Sequence, residues 1–120
     1  RGQARASHGD FKGAVEDLSV VLAKDARKVD ALVFRASAYR QLGDTERAST
    51  DLLSALSLYP AHPEALLERG MLNRLNGNAA AARRDWMSVI ELAPASPAAQ
   101  AAQENLQIMD SGAAPKGKKK

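Results

Sequence analysis

The stretch that decides the fold is Asp30-Ala-Leu-Val-Phe-Arg-Ala-Ser-Ala-Tyr-Arg-Gln-Leu-Gly-Asp-Thr-Glu-Arg-Ala-Ser-Thr-Asp-Leu-Leu-Ser-Ala-Leu-Ser-Leu-Tyr-Pro60. Moved forward so that Asp30 falls on Glu64, it brings Gly43 onto Gly77, Ala48 onto Ala82, Asp51 onto Asp85 and Pro60 onto Pro94. Moved back by the same step, Gly43, Ala48, Asp51 and Leu52 fall on Gly9, Ala14, Asp17 and Leu18. A fixed period of about 34 residues marks units that cannot bury their apolar faces alone and must stack on one another.

Each unit reads as a helical hairpin. Leu32, Arg35-Ala36 and Tyr39 share one helix face at three- and four-residue spacing, and Leu66, Arg69-Gly70 and Asn73 repeat them. Gly43 can take the left-handed conformation that ends a helix, and Asp44 can cap the next. Ala48, Leu52 and Ala55 form a second stripe, which Pro60 closes because it cannot continue a helix.

With a large residue, a small one, Tyr, Gly, Ala, a large apolar residue and Pro at these places within one period, the chain resembles the tetratricopeptide repeat family. The resemblance covers about residues 1–96. Arg35 and Arg69 stand where that family has leucine, Asn73 and Arg5 where it has tyrosine, and Ala26 where it has the closing proline. It implies an all-α solenoid of antiparallel helix hairpins: a partial repeat over 1–28, repeats over 29–62 and 63–96, and a C-terminal solvating helix over 97–109. Paired helices are expected at about 30–42 with 45–58 and 64–75 with 79–92, after a second helix of the partial repeat at 11–24. Residues 110–120, rich in Ser, Gly, Ala, Pro and Lys, offer too little apolar surface to order and are expected to form a disordered basic tail.

The tail also explains the charge. The 120 residues carry 17 Lys and Arg against 14 Asp and Glu, a net charge of +3, yet Lys116, Lys118, Lys119 and Lys120 supply four of the positives. The remaining 13 basic residues are matched by 14 acidic ones, so the repeats offer no basic stripe for phosphates and a nucleic-acid partner is disfavoured. Attachment of the tail to nucleic acid or an anionic surface is the lesser alternative. No apolar run reaches membrane-spanning length, and without cysteine there are no disulfides or thiolate metal sites. The chain starts at Arg1, inside what should be the first helix of a repeat, so it is expected to be part of a longer chain with more repeats upstream.

Arg1, Arg35 and Arg69 recur together with Asp17, Asp51 and Asp85, each aspartate at the same separation from its arginine. This spacing puts the arginine on the first helix of a hairpin and the aspartate on the second, and predicts a repeated structural ion pair. Trp86 occupies the place of Leu18 and Leu52 and is expected in the core. His8 and His62 lie near turns with no second metal ligand at hand. Gly112 to Lys118 imitates a phosphate loop in lettering, but Lys119 stands where Ser or Thr is required. No nucleophile, base and orienting group can be assembled, so the chain is expected to be non-catalytic, with no cofactor and no metal.

By the resemblance, the first helices line a concave groove, with Asp30, Val33, Phe34, Ser37, Arg40 and Gln41, then Glu64, Leu67, Glu68, Met71, Arg74 and Leu75, and with Gln3, Ala6 and Ser7 continuing it. Arg40 and Arg74 are expected to stack and offer donors to a carboxylate or carbonyl, while Phe34, Leu67, Met71 and Leu75 supply an apolar floor. For the apolar members, ordinary burial between hairpins stays open as an alternative. Chaperone-binding members hold an acidic terminal carboxylate on cations and amides at places that here carry Gln3, Phe34, Glu64 and Glu68, so an acidic chaperone tail is expected to be repelled. The resemblance implies a protein-interaction module of a larger scaffold or assembly protein, which takes an extended or helical peptide, apolar with some compensating charge. The structural alternative is packing on upstream repeats or on a second copy, through the partial first hairpin.

Overall fold

The computed structural model describes residues 10–112. Among the described residues six helices follow one another: α1 Phe11–Lys24, α2 Val29–Gln41, α3 Thr45–Leu58, α4 Pro63–Leu75, α5 Ala79–Leu92 and α6 Pro97–Asp110. There is no strand among the described residues. The all-α stack expected from the period is the fold observed.

Two kinds of turn alternate, and each is written in side chains. Within a hairpin, Gly43 and Gly77 take φ values of 84° and 82°, a left-handed backbone that glycine adopts without cost. The Gly43 and Asp44 amides then donate to the carbonyls of Arg40 and Tyr39 at 3.0 and 2.9 Å, and Gly77 and Asn78 do the same to Arg74 and Asn73 at 3.0 and 2.8 Å. This pattern satisfies the last carbonyls of the first helix. The next residue's side chain opens the second helix: Asp44 accepts from the Arg47 amide and Asn78 from the Ala81 amide, both at 3.2 Å.

Between hairpins the turn is different, and it too recurs with the period. Lys28, His62 and Ser96 donate their amides to Asp25, Tyr59 and Ala93 at 3.2, 3.2 and 3.0 Å. Pro63 and Pro97 follow as first helical residues, where a missing N–H costs nothing. Ser96 caps α6 through the Ala99 amide at 3.0 Å, and His62 caps α4 by accepting from the Ala65 amide on Nδ1 at 3.2 Å. Lys28, ahead of α2, makes no side-chain cap.

The core repeats with the sequence. Ala14, Ala48 and Ala82 are fully buried, and Leu18, Leu52 and Trp86 are buried beside them. Trp86 lies in the core, and its indole N–H donates to the Leu67 carbonyl at 3.2 Å. The larger ring is accommodated by Gly70. A Cβ added there would stand 2.3 Å from the indole nitrogen, whereas the same place one hairpin earlier holds Ala36 opposite Leu52. One methyl has been exchanged for ring volume, as dense interiors require.

α6 lays Ala98, Ala99, Ala102 and Leu106 against the preceding hairpin and leaves Gln100, Gln103, Glu104 and Gln107 exposed. It runs one residue past the expected end at 109. Asp110 stays helical while its carboxylate receives the Arg83 guanidinium of α5, so the tail expected from 110 begins no earlier than Ser111. Residues 1–9 and 113–120, including Arg1, Gln3, Arg5, Ala6, Ser7, His8 and the lysine tail, lie outside the described residues.

Candidate functional site

The first helices of successive hairpins touch: α2 meets α4, and α4 meets α6, while α3 and α5 make no comparable contact. The side on which α2, α4 and α6 converge is therefore the inner, concave one.

Among the described residues two hairpins, α2 with α3 and α4 with α5, are each locked by a forked ion pair. Arg35 donates through Nε and Nη2 to the two carboxylate oxygens of Asp51 at 2.8 Å each, and through Nη1 to the Ser19 hydroxyl at 3.0 Å. Its guanidinium also lies over the Tyr39 ring, 5.8 Å from the centroid. Arg69 donates to Asp85 at 3.0 and 2.8 Å, with Asn73 adding a third bond at 3.0 Å. Asp51 and Asp85 are buried, so these bonds offset the cost of taking a carboxylate out of water. The hydrogen bond to the aspartate raises each arginine above its ordinary pKa, against burial, which lowers it. Asp17 is half-buried on α1, and its expected partner Arg1 is outside the described residues.

Of the residues expected on that face, Phe34, Gln41 and Leu75 are exposed, and Ser37, Leu67, Met71 and Arg74 are half-buried. Two members expected there behave differently. Val33 is buried, 6% exposed, and belongs to the core cluster, which is the burial between hairpins left open for the apolar members. Arg40 does not stand as an open donor in a stack with Arg74. Its Nε donates to Glu68 at 2.8 Å and its Nη2 at 3.4 Å, tying α2 to α4, because a carboxylate on the facing helix lies within reach of its fork.

Asp30 and Glu64 flank the joint between hairpins. With Nδ1 accepting from Ala65, His62 carries its proton on Nε2, which lies 3.3 Å from an Asp30 oxygen; Glu64 lies 3.7 Å from Nδ1. Tyr59 stacks on the imidazole with ring centroids 6.4 Å apart. One residue on this face escaped the sequence reading. Moving Arg74 forward by one period gives Ile108, an apolar residue that is 42% exposed on α6. The period itself held that signal, but the helix was read only for its buried stripe.

Among the described residues no group of three or more His, Cys, Asp or Glu could hold a metal ion, and no helix is long and apolar enough to cross a membrane.

A family model described as the tetratricopeptide repeat matches residues 1–53 and 35–99. Among solved structures, the first TPR of Spaghetti (RPAP3), bound to the HSP90 peptide SRMEEVD, superposes with a TM-score of 0.80 at 22% identity, over 92% of this chain and 86% of that one. The second TPR domain of human RPAP3, in complex with the HSP70 peptide SGPTIEEVD, does so with a TM-score of 0.74 at 24% identity, over 89% of each chain. A tetratricopeptide repeat protein from Parabacteroides merdae is 29% identical with a TM-score of 0.73, over 92% of this chain and 43% of its own. The two RPAP3 likenesses speak for the fold alone. A search of the curated proteins gives no match. With repeat matches running from residue 1 to residue 99 and the hairpins stacked as described, the chain belongs to the tetratricopeptide repeat family.

Proposed function

We propose that the chain is a non-catalytic module that holds a peptide segment of another protein against the concave side of α2, α4 and α6. The observation that carries this reading is the accessible apolar row Phe34, Leu67, Met71, Leu75 and Ile108 along helices whose opposite faces are buried. Leu53 and Met87 are exposed too, but each stands among polar residues of a second helix, and single exposed apolar side chains are ordinary. Ser37, Gln41 and Arg74 edge the row and supply polar groups for a peptide backbone. Related domains solved with peptides support the same class of ligand.

The expectation that an acidic chaperone tail is repelled gains no support from these relatives, which hold SRMEEVD and SGPTIEEVD. Its physical basis is also reduced, since the Glu68 carboxylate is already engaged by Arg40 and only Glu64 stays exposed. The reading kept here is a peptide that places apolar side chains on the row.

A peptide array followed by anisotropy titration tests it, with SRMEEVD included. Leu75→Lys is expected to weaken the best ligand about tenfold, the usual worth of one well-seated apolar anchor, without changing the helical melt. Unchanged affinity in Leu75→Lys and Met71→Glu alike would remove the groove from the account. Attachment through the lysine tail is the competing reading, and DNA binding that disappears on deletion of residues 111–120 would support it.

A further inference from the structure

Lys28, His62 and Ser96 hold the same place in the period, each just ahead of a first helix. Ser96 caps its helix with a hydroxyl, which does not titrate, and Lys28 makes no side-chain cap. His62 caps with an imidazole nitrogen, an acceptor that a proton abolishes.

The surroundings of that ring are unusual for a cap. Its side chain is 14% exposed, and Tyr59 is stacked on it with the two planes 8° apart, so the ring is held in one orientation. Ala65 donates to Nδ1 at 3.2 Å, while Nε2 lies 3.3 Å from an Asp30 oxygen on α2. The Glu64 carboxylate on α4 stands 3.7 Å from Nδ1, the nitrogen that carries no proton. One neutral imidazole thus faces carboxylates from two hairpins and has a proton for only one of them. Among the described residues, the cleft that Asp30 and Tyr59 line also holds Asp17, Arg27 and Lys28, so charges of both signs stand on that side.

We propose that His62 is a proton-operated latch at the joint between the hairpins. Neutral, it caps α4 through Nδ1 and reaches α2 through Nε2. A proton taken up from water goes to Nδ1, which then donates and can no longer accept from Ala65. The new N–H turns to Glu64, and the imidazolium is left bonded to Asp30 on one side and Glu64 on the other. The first turn of α4 loses its cap, and α2 and α4 gain a shared cation with charge-assisted bonds to both. The same helix carries Leu67 and Met71, so peptide capture on the concave side becomes dependent on pH; that consequence rests on the function proposed above, whereas the latch does not.

Nuclear magnetic resonance of the labelled full chain tests it without any ligand, by following the imidazole and the Ala65 amide together. While the ring is neutral, it is expected to show its proton on Nε2, with a nitrogen–nitrogen coupling from Ala65 to Nδ1 through the hydrogen bond. As the ring protonates, that coupling should vanish, the Asp30 and Glu64 carboxyl carbons should shift in step, and Ala65 exchange relative to its intrinsic rate should rise about fivefold, the usual worth of one cap. His62→Ser copies the Ser96 joint and should hold Ala65 unchanged over the same pH range. His8→Gln removes the other of the two histidines and should behave as the unaltered chain. The proposal is overturned by a neutral ring with its proton on Nδ1 or by an Ala65 amide indifferent to protonation of the ring, both read on the unaltered chain. A response that persists in His62→Ser, or that disappears in His8→Gln, overturns it as well.

Discussion

Gly70 and Trp86 show how much of this molecule is decided one methyl at a time. The indole sits where a Cβ on residue 70 would be, so Gly70→Ala is expected to cost about 1–3 kcal/mol through overpacking, read as a lower Tm. Adding Trp86→Leu rebuilds the Ala36 and Leu52 arrangement of the preceding hairpin, and the double variant should be more stable than the two single effects sum to. Strict additivity would mean that the two residues do not share a space. The forked arginines invite the same cycle. Arg35→Ala and Asp51→Ala should couple by about 1–3 kcal/mol, since either alone strands a charge in a mostly buried site. At this scale the sequence was informative where a residue repeats with the period and silent where it does not. The spacing of Arg35 and Asp51 recurs in Arg69 and Asp85, but the separation of Arg40 from Glu68 matches no period, and that bond depends on how closely two hairpins approach.

The hairpins owe their register to their turns. Asn78 serves twice, as the amide that closes α4 and the side chain that opens α5, so Asn78→Ala is expected to cost about 1 kcal/mol through loss of the cap alone, measured by denaturant melting. Such turns were legible because glycine, Asp or Asn, and proline leave their mark in the letters. The far end of α6 was not. Its last turn is fastened by Arg83, a full helix earlier in the chain, and the bound Asp110 carboxyl titrates below its ordinary value of 3.8 chiefly because it accepts that hydrogen bond. A lowered folded pKa means that the clasp is complete above the ordinary carboxylate range and is lost as pH falls through the lower value. Protection of the Gln107 to Asp110 amides, taken as exchange relative to the intrinsic rate at each pH, should therefore fall on acidification, and Asp110→Asn should show the lower protection already at neutral pH. Equal rates in both proteins would mean that the clasp is not formed in solution.

Across the whole molecule, stability is a sum over neighbouring helices with no single centre, and the proposed peptide site is on the side where the first helices converge. The period sufficed for the all-α stack, because identical hairpins can bury their stripes only against one another. It did not sufficiently determine the concave face. Val33 and Leu67 are equivalent by sequence, yet Val33 is buried and Leu67 half-buried, a difference set by how α2, α4 and α6 lean together. Ile108, one period after Arg74, is exposed on α6. The most direct measurement is a nuclear magnetic resonance titration of the isotope-labelled chain with the tightest peptide from the array. The expected result is a continuous band of shifted amides on α2, α4 and α6, centred on Leu67, Met71 and Leu75; shifts confined to α3 and α5 around Leu53 and Met87 would contradict the account.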